Sequence, residues 1–440
     1  MKTPILDFVR AYAEKKGARL HMPGHKGKPI VGPEAFDITE IDGADVLYGA
    51  HGIIAESEKN ASLLFDTGRT YFSAEGSSLA IKAMLALAVS GKPCARVLAG
   101  RNAHKVFLYA AALLDFEIDW IGLPKRHVCE SVVTAQDADA ALSKKQYDAV
   151  YLTSPDYLGH VADIEGIAKV CNKHGVPLLV DNAHGAYLAF LTPSRHPIAL
   201  GATMCADSAH KTLPALTGGA YLHIAKDAPK DYTEGAERML SLFASTSPSY
   251  LILSSLDAVN RYLAQEMREK LLNALTRVEA FKRRLCLASY PVEESEPLKV
   301  VLHASLMGYT GEEIASFCRQ RDIELEYADG EYAVFMISTE TDEGELEALE
   351  KTILAIKRKP AFSAEALPFP APERILSPRD AILARQERVP VADAVGRACG
   401  APTVSCPPAV PIVASGERIV REHLPLFARY GMTEIDVVVQ

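Results

Sequence analysis

The first half of the chain alternates short apolar runs with stretches of helical periodicity, and this alternation restricts the fold more than any other feature. The apolar runs cover residues 96–99, 149–153, 177–180 and 220–223. Runs of this length and composition are typical of strands that are buried on both faces of a sheet. The sequence therefore predicts an α/β fold whose large domain is built on a mainly parallel sheet.

An amphipathic helix is predicted between the second and third of these runs. It begins near Asp163, a favourable N-cap residue, and ends at Gly175, and its apolar positions repeat on one face. A strand, a helix and a strand in this order form a right-handed parallel crossover. The region therefore fits the same sheet.

Near Pro248 the alternation of apolar runs and helical stretches ends. Ser247 and Pro248 predict the start of a charge-rich helical stretch that continues to about Leu285. Apolar runs and a capping-box pattern follow it, and they predict a smaller α+β domain. The predicted division is an N-terminal arm at residues 1–30, a large domain with its linking helix at 31–285, and a C-terminal α+β domain at 286–440.

Charge and hydropathy exclude several classes of partner. The formal net charge is −9, which argues against nucleic acid and against an anionic membrane surface. No apolar run approaches the roughly 20 residues of a membrane-spanning helix, and the N-terminus lacks the pattern of a signal peptide. We therefore expect a cytoplasmic protein that acts on a small molecule.

The cysteines and two neighbouring histidines give no sign of a metal site. The eight cysteines are scattered without a CxxC pair, which argues against a zinc knuckle and against a disulfide framework. His21 and His25 have the spacing of a helical metal site, but Pro23 and Gly24 between them break the helix. No metal is expected.

Lys211 lies in a segment between two predicted strands and is followed by a turn of small residues. Alone, a lysine in such a loop is usually a solvated surface charge. Thirty residues earlier, Asp181 ends the apolar run 177–180, at the strand edge where open α/β sheets bind ligands. An acid there can cap a turn, or it can hold the protonated ring nitrogen of a pyridinium cofactor.

Two further segments have the chemistry of a cofactor site. Gly76, Ser77 and Ser78 precede a strongly apolar helix, whose first N–H groups can hold a phosphate, although alone this pattern is only a helix start. Ser208 and His210 could add donors. His104 opens the helix after the strand near residue 97, where its ring could stack on a cofactor. Together with Lys211 and Asp181, these segments predict an enzyme that uses pyridoxal 5′-phosphate (PLP).

The order of these segments and their amino-acid sequences resemble those of the Orn/Lys/Arg decarboxylase family. The matching segments are residues 21–27, 153–155, 178–181, 183–185, 208–217, 246–250 and 416–419. The resemblance implies PLP fold type I, which is aspartate-aminotransferase-like, and removal of the α-carboxylate of arginine, lysine or ornithine to give the amine and CO2. It also implies a homodimer or higher homo-oligomer with the active site at the subunit interface.

The resemblance assigns a role to each candidate residue. It implies that Lys211 forms the Schiff base with PLP, that Asp181 pairs with the ring nitrogen and that His104 covers the ring face. It places His184 beside the carboxylate that leaves, and either His184 or Lys211 could return the proton to Cα. The residues implied at the phosphate are Gly76, Ser77, Ser78, Ser208 and His210.

A departure from the family pattern at residue 182 bears on activity. Asn182 stands where the family usually has Glu, which removes a negative charge from beside the ring. The chain resembles the compact form of the family without the extra N-terminal domain, the type expected in polyamine biosynthesis. Two alternatives stay open, namely a fold-type I aminotransferase and a PLP-binding relative that has lost decarboxylase activity. The acids conceivable for the substrate side chain are Asp42, Asp45, Glu75 and Glu417.

Overall fold

The computed structural model describes residues 1–15, 17–362, 367, 369–402 and 408–439. Its helices are α1 (Pro4–Glu14), α2 (Ile53–Leu64), α3 (Gly76–Val89), α4 (Lys105–Leu114), α5 (Ala135–Leu142), α6 (Ile164–His174), α7 (Ala209–Thr212), α8 (Lys230–Phe243), α9 (Tyr250–Gln265), α10 (Met267–Leu287), α11 (Gly311–Arg319), α12 (Glu343–Leu354), α13 (Pro378–Leu383) and α14 (Leu424–Arg429). Its strands are β1 (Arg69–Ser73), β2 (Arg96–Gly100), β3 (Glu117–Ile121), β4 (Ala149–Thr153), β5 (Leu178–Asp181), β6 (Met204–Asp207), β7 (Ala220–Ile224), β8 (Lys299–His303), β9 (Tyr327–Ala328), β10 (Tyr332–Met336), β11 (Gln386–Pro390) and β12 (Glu434–Val438). Among the helices in these ranges, none is long and apolar enough to cross a membrane.

The largest sheet has the strand order β1-β7-β6-β5-β4-β2-β3. Strand β5 pairs with β6 and β2 pairs with β3 in parallel, whereas β7 pairs antiparallel with both β1 and β6. The four predicted apolar runs form β2, β4, β5 and β7. The predicted α/β class with a mainly parallel sheet is therefore confirmed.

The chain divides into two compact units. The first comprises residues 1–90, 148–150 and 164–269, and the second comprises 91–147, 151–163 and 270–440. The predicted domains are consecutive segments with boundaries after residues 30 and 285, whereas each of these units combines three separate segments. The predicted boundaries stay a prediction.

In the first unit, α3 packs against β6, β7 and α8. Its side chains are buried around most of its circumference, because the helix lies between the sheet and α8. The predicted helix near residues 163–175 is confirmed as α6, and Gly175 follows it with a φ of +67°, a conformation that favours glycine.

The long helical stretch differs from its prediction in two respects. It consists of α9 and α10, which are separated at Glu266, and α9 begins at Tyr250 with Ser249 as its N-cap. The prediction of Ser247 as the cap was therefore wrong. The first turn is fixed instead by the buried Tyr250, whose hydroxyl donates to the carbonyl oxygens of Ala44 (3.1 Å) and Asp45 (2.7 Å).

In the second unit, β8, β10 and β9 form a three-stranded antiparallel sheet beside α11. The capping box of Thr310 and Glu313 at the start of α11 is confirmed. Strands β11 and β12 pair separately. The seven cysteines within the described ranges are free thiols, and Cys406 lies outside those ranges.

Candidate active site

Lys211 and His184 meet at the carboxyl ends of two neighbouring strands. Lys211 lies on α7, directly after β6, and His184 lies three residues after the end of β5. Because β5 and β6 are parallel and paired, both segments leave the same edge of the sheet. The Lys211 Nζ atom is 2.9 Å from His184 Nε2, and His184 is buried. The structure therefore brings these two predicted site residues into hydrogen-bonding contact.

Asp181 is the last residue of β5 and is 2% exposed. Its Oδ1 accepts the N–H of Ala183 at 3.2 Å, and the carbonyl oxygen of Asn182 accepts the N–H of Gly185 at 2.8 Å. These two bonds define a tight turn that carries both Asp181 and His184. Asp181 thus stabilises a turn and also presents a buried acid at the sheet edge.

The start of α3 brings two of the predicted phosphate residues together. Gly76 has a φ of +71°, so the backbone conformation itself favours glycine there. A Cβ at this position would meet nothing within 4 Å, so there is open space beside the helix start. The Ser208 hydroxyl donates to Ser77 Oγ at 2.8 Å, whereas Ser78 is exposed.

His210 is held by Gly219, the residue directly before β7. Its Nδ1 is 3.0 Å from the carbonyl oxygen of Gly219, which also accepts the His210 backbone N–H at 3.1 Å. Since a carbonyl oxygen can only accept, Nδ1 carries a proton. The part of His210 in phosphate binding stays a prediction.

His104 belongs to the second unit, where it is the N-cap of α4. Its Nδ1 accepts the N–H of Val106 at 3.2 Å. The predicted helix start is therefore confirmed, and the position of the ring on a cofactor stays a prediction.

Two of the four acids considered for the substrate side chain have other partners in the first unit. Asp45 accepts N–H groups ahead of and within the first turn of α2, including Gly52 (2.8 Å) and Ile54 (3.0 Å). Partial burial alone would raise the pKa of Asp45, but these N–H groups lower it below its ordinary value. Glu75 accepts the N–H of Ser245 at 2.7 Å. Asp42, like Glu75, is exposed.

The fourth acid, Glu417, is buried in the second unit and is fully occupied there. Its Oε2 accepts from Arg101 at 3.2 Å and from the N–H of Ala414 at 2.7 Å, and its Oε1 accepts from Trp120 Nε1 at 2.7 Å. A carboxylate that is held by three donors is a structural anchor. The interpretation of Glu417 as a substrate ligand is therefore not favoured.

A buried cluster that was not predicted from the sequence lies at the end of β6. Asp207 contacts His196 Nε2 at 3.0 Å, His223 Nε2 at 3.3 Å and the side-chain amide of Asn182 at 2.7 Å. Burial alone would raise the pKa of Asp207, but the two histidines lower it well below its ordinary value. Burial lowers the pKa of His223. The sequence signal that could have identified the cluster is Asp207 itself, which directly precedes the Ser208 to Lys211 segment.

The donor set of the first unit fits PLP. The cofactor's aldehyde requires an amine, which Lys211 supplies, and its ring nitrogen requires a buried carboxylate, which Asp181 supplies. Its phosphate requires N–H and hydroxyl donors at a helix start with open space, as at Gly76 and Ser77. Ser208 adds a further hydroxyl within hydrogen-bonding distance of Ser77.

The fold and this donor set define a PLP enzyme of fold type I. Residues 3–294 match the major domain of the Orn/Lys/Arg decarboxylases. The chain therefore belongs to the Orn/Lys/Arg decarboxylase family, as the motifs predicted.

Individual relatives agree with this assignment. The chain is 28% identical to an arginine decarboxylase of Halalkalibacterium halodurans, over 96% of this chain and 92% of the relative. It is also 28% identical to the uncharacterized protein YaaO of Bacillus subtilis, over 98% and 94%. Among solved structures, the lysine decarboxylase LdcF of Francisella novicida superposes with a TM-score of 0.81 at 16% identity, over 99% of this chain and 81% of that one. The predicted fold type is confirmed.

Proposed function

We propose that this chain removes the α-carboxylate of a basic L-amino acid with PLP as its cofactor. The observation that carries the proposal is the 2.9 Å contact between Lys211 Nζ and His184 Nε2, at the sheet edge where the buried Asp181 also lies. A lysine, a second proton-carrying group and a buried acid are what such a reaction requires of the protein.

Each residue has a distinct task in this proposal. Lys211 would hold the cofactor covalently through its amine, and the negative charge of Asp181 would keep the ring nitrogen protonated. Bound PLP supplies an electron-accepting ring. Ser77, Ser208 and the N–H groups at the start of α3 hold the phosphate, with Gly76, Ser78 and His210 as further candidates, and His104 is proposed to cover the ring.

Proton return to Cα is assigned to the pair of Lys211 and His184. Because their nitrogens are in hydrogen-bonding contact, a proton can pass between them, and either can carry it to the product. Exclusion of water from the buried His184 favours delivery by a fixed group rather than by solvent.

Arginine is the first substrate to test, because curated relatives along most of the chain are named arginine decarboxylases. Lysine and ornithine follow from the family name. Of the four acids considered, Asp42 and Glu75 are exposed. Because Glu75 already accepts the N–H of Ser245, Asp42 is proposed as the first candidate for the substrate's cationic end.

We further propose that the chain acts in the cytoplasm as a homodimer or a higher homo-oligomer with its active site at the subunit interface. Support comes from exposed apolar side chains near the N-terminus. Leu20, Ile30 and Val31 are 92%, 80% and 88% exposed, and burial of these apolar side chains against a second subunit would be favourable.

The test is to incubate the protein and PLP with arginine, lysine or ornithine and to measure CO2, amine and keto acid. We expect CO2 and the matching amine in equal amounts. Keto acid without CO2 would instead identify an aminotransferase, and PLP binding without turnover would identify a relative that has lost activity.

The matched control compares two lysines of the first unit. Lys211→Ala should abolish turnover and should leave no pyridoxyl group on the chain after borohydride reduction. Lys226→Ala removes an exposed lysine that is paired with Asp66. This variant should keep wild-type turnover and the pyridoxyl group that borohydride reduction leaves on the wild-type chain.

A further inference from the structure

The carboxylate of Asp207 is fully buried and has a partner for each oxygen. Its Oδ2 contacts His196 Nε2 at 3.0 Å and His223 Nε2 at 3.3 Å, and its Oδ1 accepts from Asn182 Nδ2 at 2.7 Å. Cys205 Sγ lies 3.7 Å from the same Oδ1. A buried anion is costly unless such partners compensate for its lost hydration, so the cluster has to be explained.

The tautomer of His196 argues for a hydrogen-bonded carboxylate rather than a metal site. The N–H of Ile198 donates to His196 Nδ1 at 3.4 Å, so a neutral ring carries its proton on Nε2. That nitrogen then donates to Asp207 Oδ2. A metal ion would need the lone pair of the same nitrogen, which this arrangement does not offer.

The side-chain amide of Asn182 is hydrogen-bonded to Asp207 on one side, and its Oδ1, which has no hydrogen-bond partner among the described residues, lies on the side of Gly185. Two oxygens cannot lie 2.7 Å apart without a proton between them, so the amide must present Nδ2 to the ionised Asp207. Its Oδ1 is thereby turned toward Gly185, where a Cβ would lie only 2.0 Å away. The backbone N–H of Asn182 also donates to the carbonyl oxygen of Ala206 at 2.9 Å.

We infer that Asp207 is a positioning residue that acts through Asn182 on the turn carrying Asp181 and His184. The inference rests on the proposed function, since it assigns Asp181 and His184 to the cofactor and the substrate. Asp207 and Asn182 form a matched pair, because a carboxylate at position 182 would face the buried carboxylate of Asp207. The departure from the family's usual Glu is in this view an adaptation to Asp207 and not a sign of lost activity.

The test uses Asn182→Asp, Asp207→Asn, the double variant with both changes, and Asn182→Ala. The double variant exchanges donor and acceptor. The new amide at position 207 can donate to the new carboxylate at position 182, while its oxygen still accepts from His196. We expect Asn182→Asp to weaken PLP binding and to lower kcat, each by about tenfold or more, with little change in the substrate KM. The double variant should recover most of both losses.

Asn182→Ala removes the bond without adding charge, so it should destabilise the fold less than Asn182→Asp does. It should lower kcat and PLP affinity by about tenfold. Asp257→Asn is the matched control, because Asp257 is another buried carboxylate of the first unit that accepts from Ser57 (2.5 Å) and from the N–H of Leu6 (3.0 Å). It should shift the unfolding transition and leave kcat and PLP affinity unchanged.

Two readouts do not depend on decarboxylation. The PLP dissociation constant is measured by absorbance titration, and urea unfolding of the cofactor-free variants measures the coupling between positions 182 and 207. If the wild type binds PLP but releases no CO2, the proposed function fails. The PLP dissociation constants of the single and double variants still test the coupling of Asn182 and Asp207 in that case.

Three results would overturn the inference. The first is a folded double variant that binds PLP no better than Asn182→Asp. The second is wild-type kcat and PLP affinity in Asn182→Ala. The third is one equivalent of bound metal in the wild type that disappears in Asp207→Asn. If Asn182→Asp itself does not fold, Asn182→Ala and the double variant decide the question.

Discussion

Replacement of Glu417 by Gln separates a structural role from a substrate-binding role. Glu417 is 4% exposed, and its two oxygens serve three donors, from Arg101, Ala414 and Trp120. A glutamine has one oxygen, so either Trp120 or the pair of Arg101 and Ala414 must lose its acceptor. The change also leaves the buried guanidinium without its carboxylate, although Arg101 keeps its bonds to the carbonyl oxygens of Pro411 and Ile412.

The expected cost follows from these contacts. Breaking a buried ion pair by removing one partner costs about 3–5 kcal/mol, and the two remaining carbonyl partners of Arg101 place this case near the lower end, at about 3 kcal/mol. Urea unfolding of the cofactor-free protein measures this as a fall in the midpoint at an unchanged m-value.

The same variant tests the substrate-binding interpretation. If Glu417 anchors the fold, the folded enzyme should keep the wild-type KM for arginine under conditions in which it is fully native. Wild-type stability together with a KM raised tenfold or more would refute this reasoning and would restore Glu417 as a ligand of the substrate's cationic end.

Three further predictions concern buried groups. Burial raises the pKa of Glu58 to about 8, so the folded state binds this proton more tightly than the unfolded state does. The free energy of unfolding should therefore fall as the pH rises from about 4.5 to 8. Glu58→Gln should flatten this pH dependence in urea titrations. Burial lowers the pKa of His423 to about 4, so the free energy of unfolding should fall as the pH decreases from about 6.5 to 4. His423→Asn should remove this pH dependence in the same urea titrations. Gly185→Ala places a Cβ 2.0 Å from Asn182 Oδ1, and it should cost about 1–3 kcal/mol in unfolding experiments and weaken PLP binding; unchanged PLP affinity would contradict the account of the turn.

The strands that were predicted are those whose apolar side chains form an unbroken run. Strand β3 was not predicted, because charged Glu117 and Asp119 interrupt its apolar residues and most of its positions are only partly buried. Strand β6 was not predicted, because its four residues include small Ala206 and charged Asp207, although all four are buried. In both cases burial is set by neighbouring strands, which a single sequence does not reveal.

The candidate site was predicted wherever its residues lie in short motifs. Lys211, Asp181 and His184 were found in this way, and so was the helix start after Glu75. The buried cluster was missed because His223 and Cys205 are brought side by side only by the antiparallel register of β6 and β7. His196, likewise, reaches Asp207 from a loop outside every motif. Asn182 was noticed as a departure, but its partner could not be named without the structure.

The most direct test of the central claim follows the carboxyl carbon of arginine. With PLP and arginine labelled at the carboxyl carbon, the protein should release labelled CO2 and form the corresponding amine in a one-to-one ratio, and Lys211→Ala should release none. The same assay extends to lysine and ornithine if arginine is not the preferred substrate. Absence of labelled CO2 from all three amino acids, in protein that has bound PLP, would contradict the assignment as a basic amino-acid decarboxylase.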